Sequence, residues 1–146
     1  MEKSRRNLRD ISVVVLVFTL ISLVRMVLDA VFTDLNIQNL PDNVTAGFTM
    51  VIRIAMLVFG FILLLPQTYI GIRGIKLSKK PDSSTAHIVW AVILTVFAVT
   101  GIFSPISEMM QGGNIAANLL EAFDMAIDIA LYISYVVFAK QVHKAA

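Results

Sequence analysis

Four long apolar blocks alternate with short polar segments along the chain. The blocks cover residues 11–32, 44–72, 86–103 and 115–139. At 1.5 Å of helical rise per residue, each block is about long enough to cross a hydrocarbon core of roughly 30 Å. Backbone inside that core must satisfy its own hydrogen bonds, so we expect each block to be an α-helix. The pattern predicts an all-α integral membrane protein, a four-helix transmembrane bundle whose consecutive helices are antiparallel neighbours.

The segments between the blocks are short and rich in turn residues. They cover residues 33–43, 73–85 and 106–113, and the third block ends at Ser104-Pro105, where proline suggests a helix end. In the last of these loops a Gly-Gly pair precedes Asn114, and asparagine is a residue type that caps helix N-termini. Because no segment is long enough for a separate soluble domain, we predict a single transmembrane domain over residues 1–146.

Positive charges are distributed unevenly over the polar segments. Four Lys or Arg residues precede the first block, four lie between the second and third blocks, and two follow the fourth. The other two loops contain none. Since Lys and Arg are retained on the cytoplasmic side of a membrane, we expect a multi-pass protein of the plasma membrane with both termini in the cytoplasm.

Composition narrows the function classes. Hydrophobic residues make up 58% of the chain and charged residues 15%, against about 25% charged in a soluble domain. The basic residues cluster beside the apolar blocks, as expected of a membrane protein, so we expect no nucleic-acid partner. The chain has no cysteine, which excludes thiolate nucleophiles and Cys-ligated metals. No hydrolytic or phosphate-binding motif is present. We therefore expect no enzyme, no catalytic residue, no cofactor and no metal site.

Six ionisable residues nevertheless lie within the apolar blocks, where each costs about 2.5–3.5 kcal/mol to insert. They are Arg25 and Asp29 in the first block, Arg53 in the second, and Glu121, Asp124 and Asp128 in the fourth. The three acids of the fourth block are spaced i, i+3, i+7 and therefore share one helical face. Tyr132 and Tyr135 continue the same face.

Depth along the helices suggests ion pairs between these residues. Counting 1.5 Å per residue from the outer ends places Arg25 and Glu121 at roughly 10 Å. Arg53 and Asp124 lie at about 13–15 Å, close to the midplane. We predict that Arg25 pairs with Glu121 or with Asp29, and that Arg53 pairs with Asp124 or Asp128.

Four acids against two arginines leave surplus negative charge in these blocks. A surplus carboxylate in a low dielectric is either protonated or neutralised by a bound cation. We therefore interpret the six residues, with Tyr132, as a cluster that binds or moves a proton, a cation or a small cationic solute. Asp128 is the deepest acid, roughly 20 Å below the outer end of its block, and we expect it to take up and release the proton.

The alternative interpretation gives the charges a structural role alone. Buried pairs of arginine and carboxylate can set the register of neighbouring helices without any ligand. The chain would then be a non-catalytic accessory, regulatory or immunity subunit of a membrane complex. In either case the lipid bilayer is the expected partner. The chain could also form a homo-oligomer or belong to a larger membrane complex, and the sequence does not choose between these two assemblies.

Overall fold

A computed structural model of the chain describes residues 2–32 and 42–144. Within these ranges every regular element is a helix, which confirms the all-α class for this part of the chain. The helices are α1 (Glu2–Phe32), α2 (Asp42–Lys79), α3 (Ala86–Gly101), α4 (Phe103–Met110) and α5 (Ile115–Lys144). They provide four stretches that are long and apolar enough to cross a membrane, with α3 and α4 forming one of them. Most of the first predicted loop lies outside the described residues.

Three helices continue beyond the apolar blocks into the basic segments. α1 already begins at Glu2, α2 ends at Lys79 and α5 ends at Lys144. Lysine and arginine are good helix formers, so the basic flanks extend the helices by several turns. The lysines in the last turns of α2 and α5 also lie at the negative ends of the helix dipoles, where positive charge is stabilising.

The loop predicted over residues 106–113 is wrong for most of its length, because α4 occupies residues up to Met110. Pro105 suggested a break in the sequence, but it lies in the first turn of α4. The N–H that proline lacks has no helical acceptor in a first turn, so proline is compatible with a helix there. The connection from α4 to α5 is therefore reduced to residues 111–114.

Gly112 and Asn114 shape that connection. Gly112 has a φ of 85°, in the left-handed region that glycine adopts most readily. The side-chain oxygen of Asn114 accepts a hydrogen bond from the N–H of Ala117 at 3.2 Å. This bond satisfies one of the free N–H groups at the start of α5 and confirms the predicted N-cap.

The chain divides into two compact units. The first unit combines Met1–Leu16 with Pro66–Ala146, and the second unit is Val17–Leu65. The division within α2 falls at Pro66, although the helix is continuous through this residue. Proline has no N–H to donate to the carbonyl four residues earlier, so α2 lacks one of its own hydrogen bonds at the division. The single domain over residues 1–146 stays a prediction.

The core of the first unit combines side chains from four helices. Its fully or nearly fully buried apolar residues are Leu8 and Val15 of α1, Ile70 and Leu77 of α2, Ile88, Ala91 and Leu94 of α3, and Tyr132, Tyr135, Ala139 and Val142 of α5. Burial of side chains of this size is the dominant stabilising contribution within the unit. The beginning of α1, the end of α2, α3 and the second half of α5 are therefore held as one packed body.

Gly74 allows α1, α2 and α5 to approach closely within this body. A Cβ atom at Gly74 would lie 1.9 Å from Oγ of Ser12 and 2.7 Å from a ring carbon of Tyr135. No side chain fits at such distances, so the backbone of α2 lies directly against α1 and α5. Small residues at helix contacts are characteristic of helices that pack inside membranes.

The outer surface of α2 is apolar and exposed. None of the residues in its most apolar 18-residue stretch is buried, and Val51, Phe59 and Leu65 each expose more than 60% of their surface. A water-soluble monomer rarely leaves continuous apolar surface of this extent uncovered. The exposed side chains of α2 are what a membrane-spanning helix presents to lipid.

Candidate functional site

The three acids of the fourth block lie on one face of α5, as their spacing predicts. Glu121 and Asp124 are exposed, Asp128 is half-buried, and Tyr132 is only 4% exposed. Tyr135, one turn further along, is completely buried. The acid-bearing face of α5 therefore becomes the buried face of the helix toward its C-terminal end.

Gln67 of α2 joins this face at the level of Tyr132. The side chains of Gln67 and Tyr132 are hydrogen-bonded to each other. Gln67 directly follows Pro66, so Gln67 and Tyr132 both belong to the first unit. Tyr132 is also the residue one turn beyond Asp128 on α5. The acid is therefore followed by the hydroxyl of Tyr132 and, from α2, by the side-chain amide of Gln67.

Tyr135 and His87 form the next polar contact. The Tyr135 hydroxyl lies 3.0 Å from Nδ1 of His87, and Nε2 of His87 lies 3.0 Å from the carbonyl oxygen of Ser84. A carbonyl can only accept, so Nε2 carries a proton in this arrangement. The neutral imidazole then accepts at Nδ1 from the tyrosine hydroxyl. The two rings meet edge to face, with centroids 5.9 Å apart.

Asp82 extends the network into the connection between α2 and α3. One carboxylate oxygen of Asp82 accepts a hydrogen bond from the N–H of Ser84 at 2.9 Å, and the other is paired with the guanidinium of Arg73. The hydrogen bond from the Ser84 N–H, together with the Arg73 charge, holds the pKa of Asp82 below its ordinary value against the opposing effect of desolvation. Asp82 is therefore a carboxylate at neutral pH.

These contacts define an inner polar network, made of Arg73, Asp82, Ser84, His87 and Tyr135. Together with the acid face it puts a polar or ionisable side chain on every turn of α5 from Glu121 to Tyr135. Groups of this kind can hold protons and pass them to neighbours through hydrogen bonds or intervening water. We call the polar side chains from Glu121 to Tyr135 the row. The row begins in the fourth apolar block, and the inner polar network continues it to the loop over residues 80–85.

The other three predicted site residues belong to the second unit. Arg25 and Asp29 are exposed and Arg53 is half-buried. Nη1 of Arg53 donates to the carbonyl oxygen of Ala30 at 2.9 Å and to that of Val31. These carbonyls lie in the last turn of α1, where the helix supplies no donor. Arg53 therefore caps α1.

This contact locates the Arg53 charge relative to α1. Chain counting placed the residue about 13–15 Å below the outer end of its block. The guanidinium reaches carbonyls that lie one and two residues before Phe32, the end of α1, and its depth in a membrane stays a prediction. The charge of Arg53 thus lies beside the end of α1. The predicted pairs of Arg25 with Glu121 and of Arg53 with Asp124 or Asp128 each join residues of different units, and they stay predictions. The alternative pair of Arg25 with Asp29 also stays a prediction.

Sequence reasoning missed His87 and the pairing of Arg73 with Asp82. His87 is the second residue of α3 and shares no periodic pattern with the acids, so nothing in the sequence connects it to them. The signal that was available is the position of Tyr135 on the acid face. A tyrosine continuing a polar face toward a buried helix end needs a hydrogen-bond partner, and His87 is that partner.

Among the described residues, no three His, Asp or Glu side chains lie close enough to hold one metal ion together. The acids of α5 are spaced one turn apart along the helix and do not converge on a point. Side chains arranged in this way suit stepwise transfer of a proton from one group to the next along α5.

No protein-family model, no curated protein and no solved structure matches this chain. The function is therefore argued from the residues of α5 and their neighbours.

Replacing Tyr135 with Phe tests the contribution of the inner polar network to stability. Tyr135→Phe leaves Nδ1 of the buried His87 without its donor, which we expect to lower the unfolding free energy by about 1–3 kcal/mol. Tyr69→Phe is the matched control, because Tyr69 is 39% exposed and a surface change of this kind stays within about 0.5 kcal/mol. Unfolding of the purified chain in detergent measures both variants. Equal stabilities would mean that the bond between Tyr135 and His87 contributes nothing.

Proposed function

We propose that the chain is a multi-pass protein of the plasma membrane that binds and moves a proton, a cation or a small cationic solute along the acid face of α5. The observation that carries this proposal is that Glu121, Asp124 and Asp128 share a face with the buried Tyr132 and Tyr135. At the end that carries Tyr132 and Tyr135, this face packs against other parts of the protein. The acids therefore do not belong to a purely lipid-facing surface. We propose binding and movement without covalent chemistry, and hence no enzyme.

The membrane setting follows from apolar length and charge. Four helical stretches are long and apolar enough to cross a bilayer, and Lys and Arg residues gather at alternate ends of them. We propose that consecutive stretches run antiparallel and that both termini are cytoplasmic. The lipid bilayer is then the main partner of the chain, and no nucleic acid is involved.

The proposed chemistry rests on the cost of charge in hydrocarbon. A carboxyl group in this environment is neutral, paired with a cation or hydrated. The apolar blocks contain four acids and two arginines. One of these arginines, Arg53, donates hydrogen bonds to carbonyls of α1. We propose Asp128 as the acid that exchanges a proton, since it is the deepest of the row and lies one turn from Tyr132. From there the row leads through Tyr135 and His87 to the loop over residues 80–85.

The second candidate function is that of an accessory, regulatory or immunity subunit in a larger membrane assembly. The capping of α1 by Arg53 favours it, because an intramembrane charge then serves helix structure. Exposed Glu121 and Asp124 could likewise be covered by another subunit or a second copy of the chain. In this case the chain alone would move no ion.

Cysteine labelling tests the proposed orientation, since the chain has no native cysteine. Gln111 lies in the connection between α4 and α5, and Ser83 lies between α2 and α3; both side chains are accessible. In intact cells we expect an impermeant thiol reagent to label Gln111→Cys and not Ser83→Cys. Permeabilised cells should label both. Labelling of Ser83→Cys alone from outside would reverse the proposed topology.

Flux measurements test the proposed activity. With the full chain in liposomes that carry an internal pH dye, we expect an imposed gradient to collapse faster than in protein-free liposomes. Asp128→Asn cannot exchange a carboxyl proton and should return the rate to the protein-free level. Glu108→Gln removes an acid in α4, outside the row, and should leave the rate unchanged.

The flux experiment also separates the two candidate functions. If the wild-type chain supports no proton flux, and none when Na⁺, K⁺ or a small organic amine is supplied in the same gradient, transport by this chain is contradicted. The accessory function then takes its place.

A further inference from the structure

The first turns of α1 are attached to the end of α2 by one arginine. Nε of Arg5 donates to the carbonyl oxygen of Ser78 at 2.8 Å, and Nη2 donates to that of Lys79 at 2.5 Å. The last carbonyls of a helix have no intrahelical donors, so Arg5 completes the end of α2. Because two of its nitrogens are engaged, the arginine fixes the spacing between the two helix ends.

A basic cleft of about 330 Å³ lies between these helix ends. Its walls are formed by Glu2, Arg5, Arg6, Arg9, Ser78 and Lys79. Four cationic side chains thus surround the cleft against one carboxylate. We call this feature the basic cleft.

Two of these arginines remain available to a ligand. Arg6 and Arg9 are exposed and lie one turn apart on α1. Arg9 contacts the neighbouring Asp10 at 3.3 Å, but both side chains are more than half exposed, and an ion pair of this kind is weak. A phosphate ester could displace it, since guanidinium groups bind phosphate oxygens with two parallel hydrogen bonds.

The surroundings of the basic cleft suit a lipid. Within two turns of Arg6, α1 enters its apolar block, where Val13 and Val14 are 45% and 37% exposed. Charge distribution across the loops explains why basic residues lie at this end of the helices, but it does not require a walled cleft. Basic pockets between helices on the cytoplasmic side are characteristic sites for anionic headgroups.

We propose that the basic cleft binds the phosphate-bearing headgroup of an anionic phospholipid, whose acyl chains lie along the apolar surface of the neighbouring helices. Arg6, Arg9 and Lys79 contact the phosphate, and Arg5 positions the two helix ends around it. This inference requires that the chain inserts in a membrane. It does not depend on proton or cation movement, and it holds equally for an accessory subunit.

Lipid titration of the full-length chain in detergent tests this inference. Dioleoylphosphatidylglycerol is added while native mass spectrometry counts the bound lipids, with dioleoylphosphatidylcholine as the zwitterionic arm. We expect one phosphatidylglycerol to bind in preference to phosphatidylcholine. The variant Arg6→Gln/Arg9→Gln should weaken phosphatidylglycerol binding by roughly 30-fold, from the usual contribution of two basic residues near an anionic lipid.

A matched variant separates a site from general attraction between charges. Lys3→Gln/Lys144→Gln removes the same charge from exposed helix ends outside the cleft, and it should bind phosphatidylglycerol within about threefold of wild type. Equal weakening in the two double variants would overturn the inference. Competition by inorganic phosphate at millimolar concentration, with full displacement of the lipid, would assign the cleft to free phosphate. If the arginine variant does not fold, equal binding of the two lipids to the wild-type chain still overturns the proposal.

Discussion

Hydrocarbon offers no hydrogen bonds and little screening, and this is the constraint that the proposed membrane setting places on the chain. In that setting every backbone group within the apolar stretches must be satisfied by the protein, and the described residues of these stretches are helical. Where a helix ends, the free carbonyls need donors, and arginines supply them. Arg53 caps α1 and Arg5 caps α2. Both bonds join a side chain of one helix to the backbone of another, so helix ends also determine how neighbouring helices are attached.

The same constraint acts differently on the arginines and on the acids of α5. Arginine can be accommodated by donating to carbonyls, because the backbone presents many acceptors and arginine has five donors. An ionised carboxylate needs donors instead, and inside helices these are already engaged. One turn beyond Asp128 lies the hydroxyl of Tyr132, which is hydrogen-bonded to the amide of Gln67, and the network around His87 follows. This asymmetry is the physical reason for proposing that the acids bind and exchange a proton or cation while the arginines serve the framework.

Much of this architecture is contained in patterns that the sequence displays. Block length and apolar content were sufficient to predict the four stretches, and the 3–4 spacing of the acids was sufficient to place them on one face of α5. Asn114 was recognisable as an N-cap because its chemistry is local. Proline at position 105 misled, because a first-turn proline and a helix-ending proline have the same sequence signature. The contact of Tyr135 with His87 and the cap that Arg53 places on α1 depend on which helices are neighbours, and no periodicity within one segment contains that information.

The central claim is that Asp128 gains and loses a proton within the row of polar side chains on α5. Infrared difference spectroscopy across a pH titration observes the carboxyl group directly, on the wild-type chain and on Asp128→Asn. The account predicts a protonated-carboxyl band that disappears as the pH is raised and is missing from the spectrum of the variant. A titrating band that persists unchanged in Asp128→Asn would contradict the assignment. If the wild-type chain has no such band, its acids are all ionised, and the charges belong to the framework of an accessory subunit.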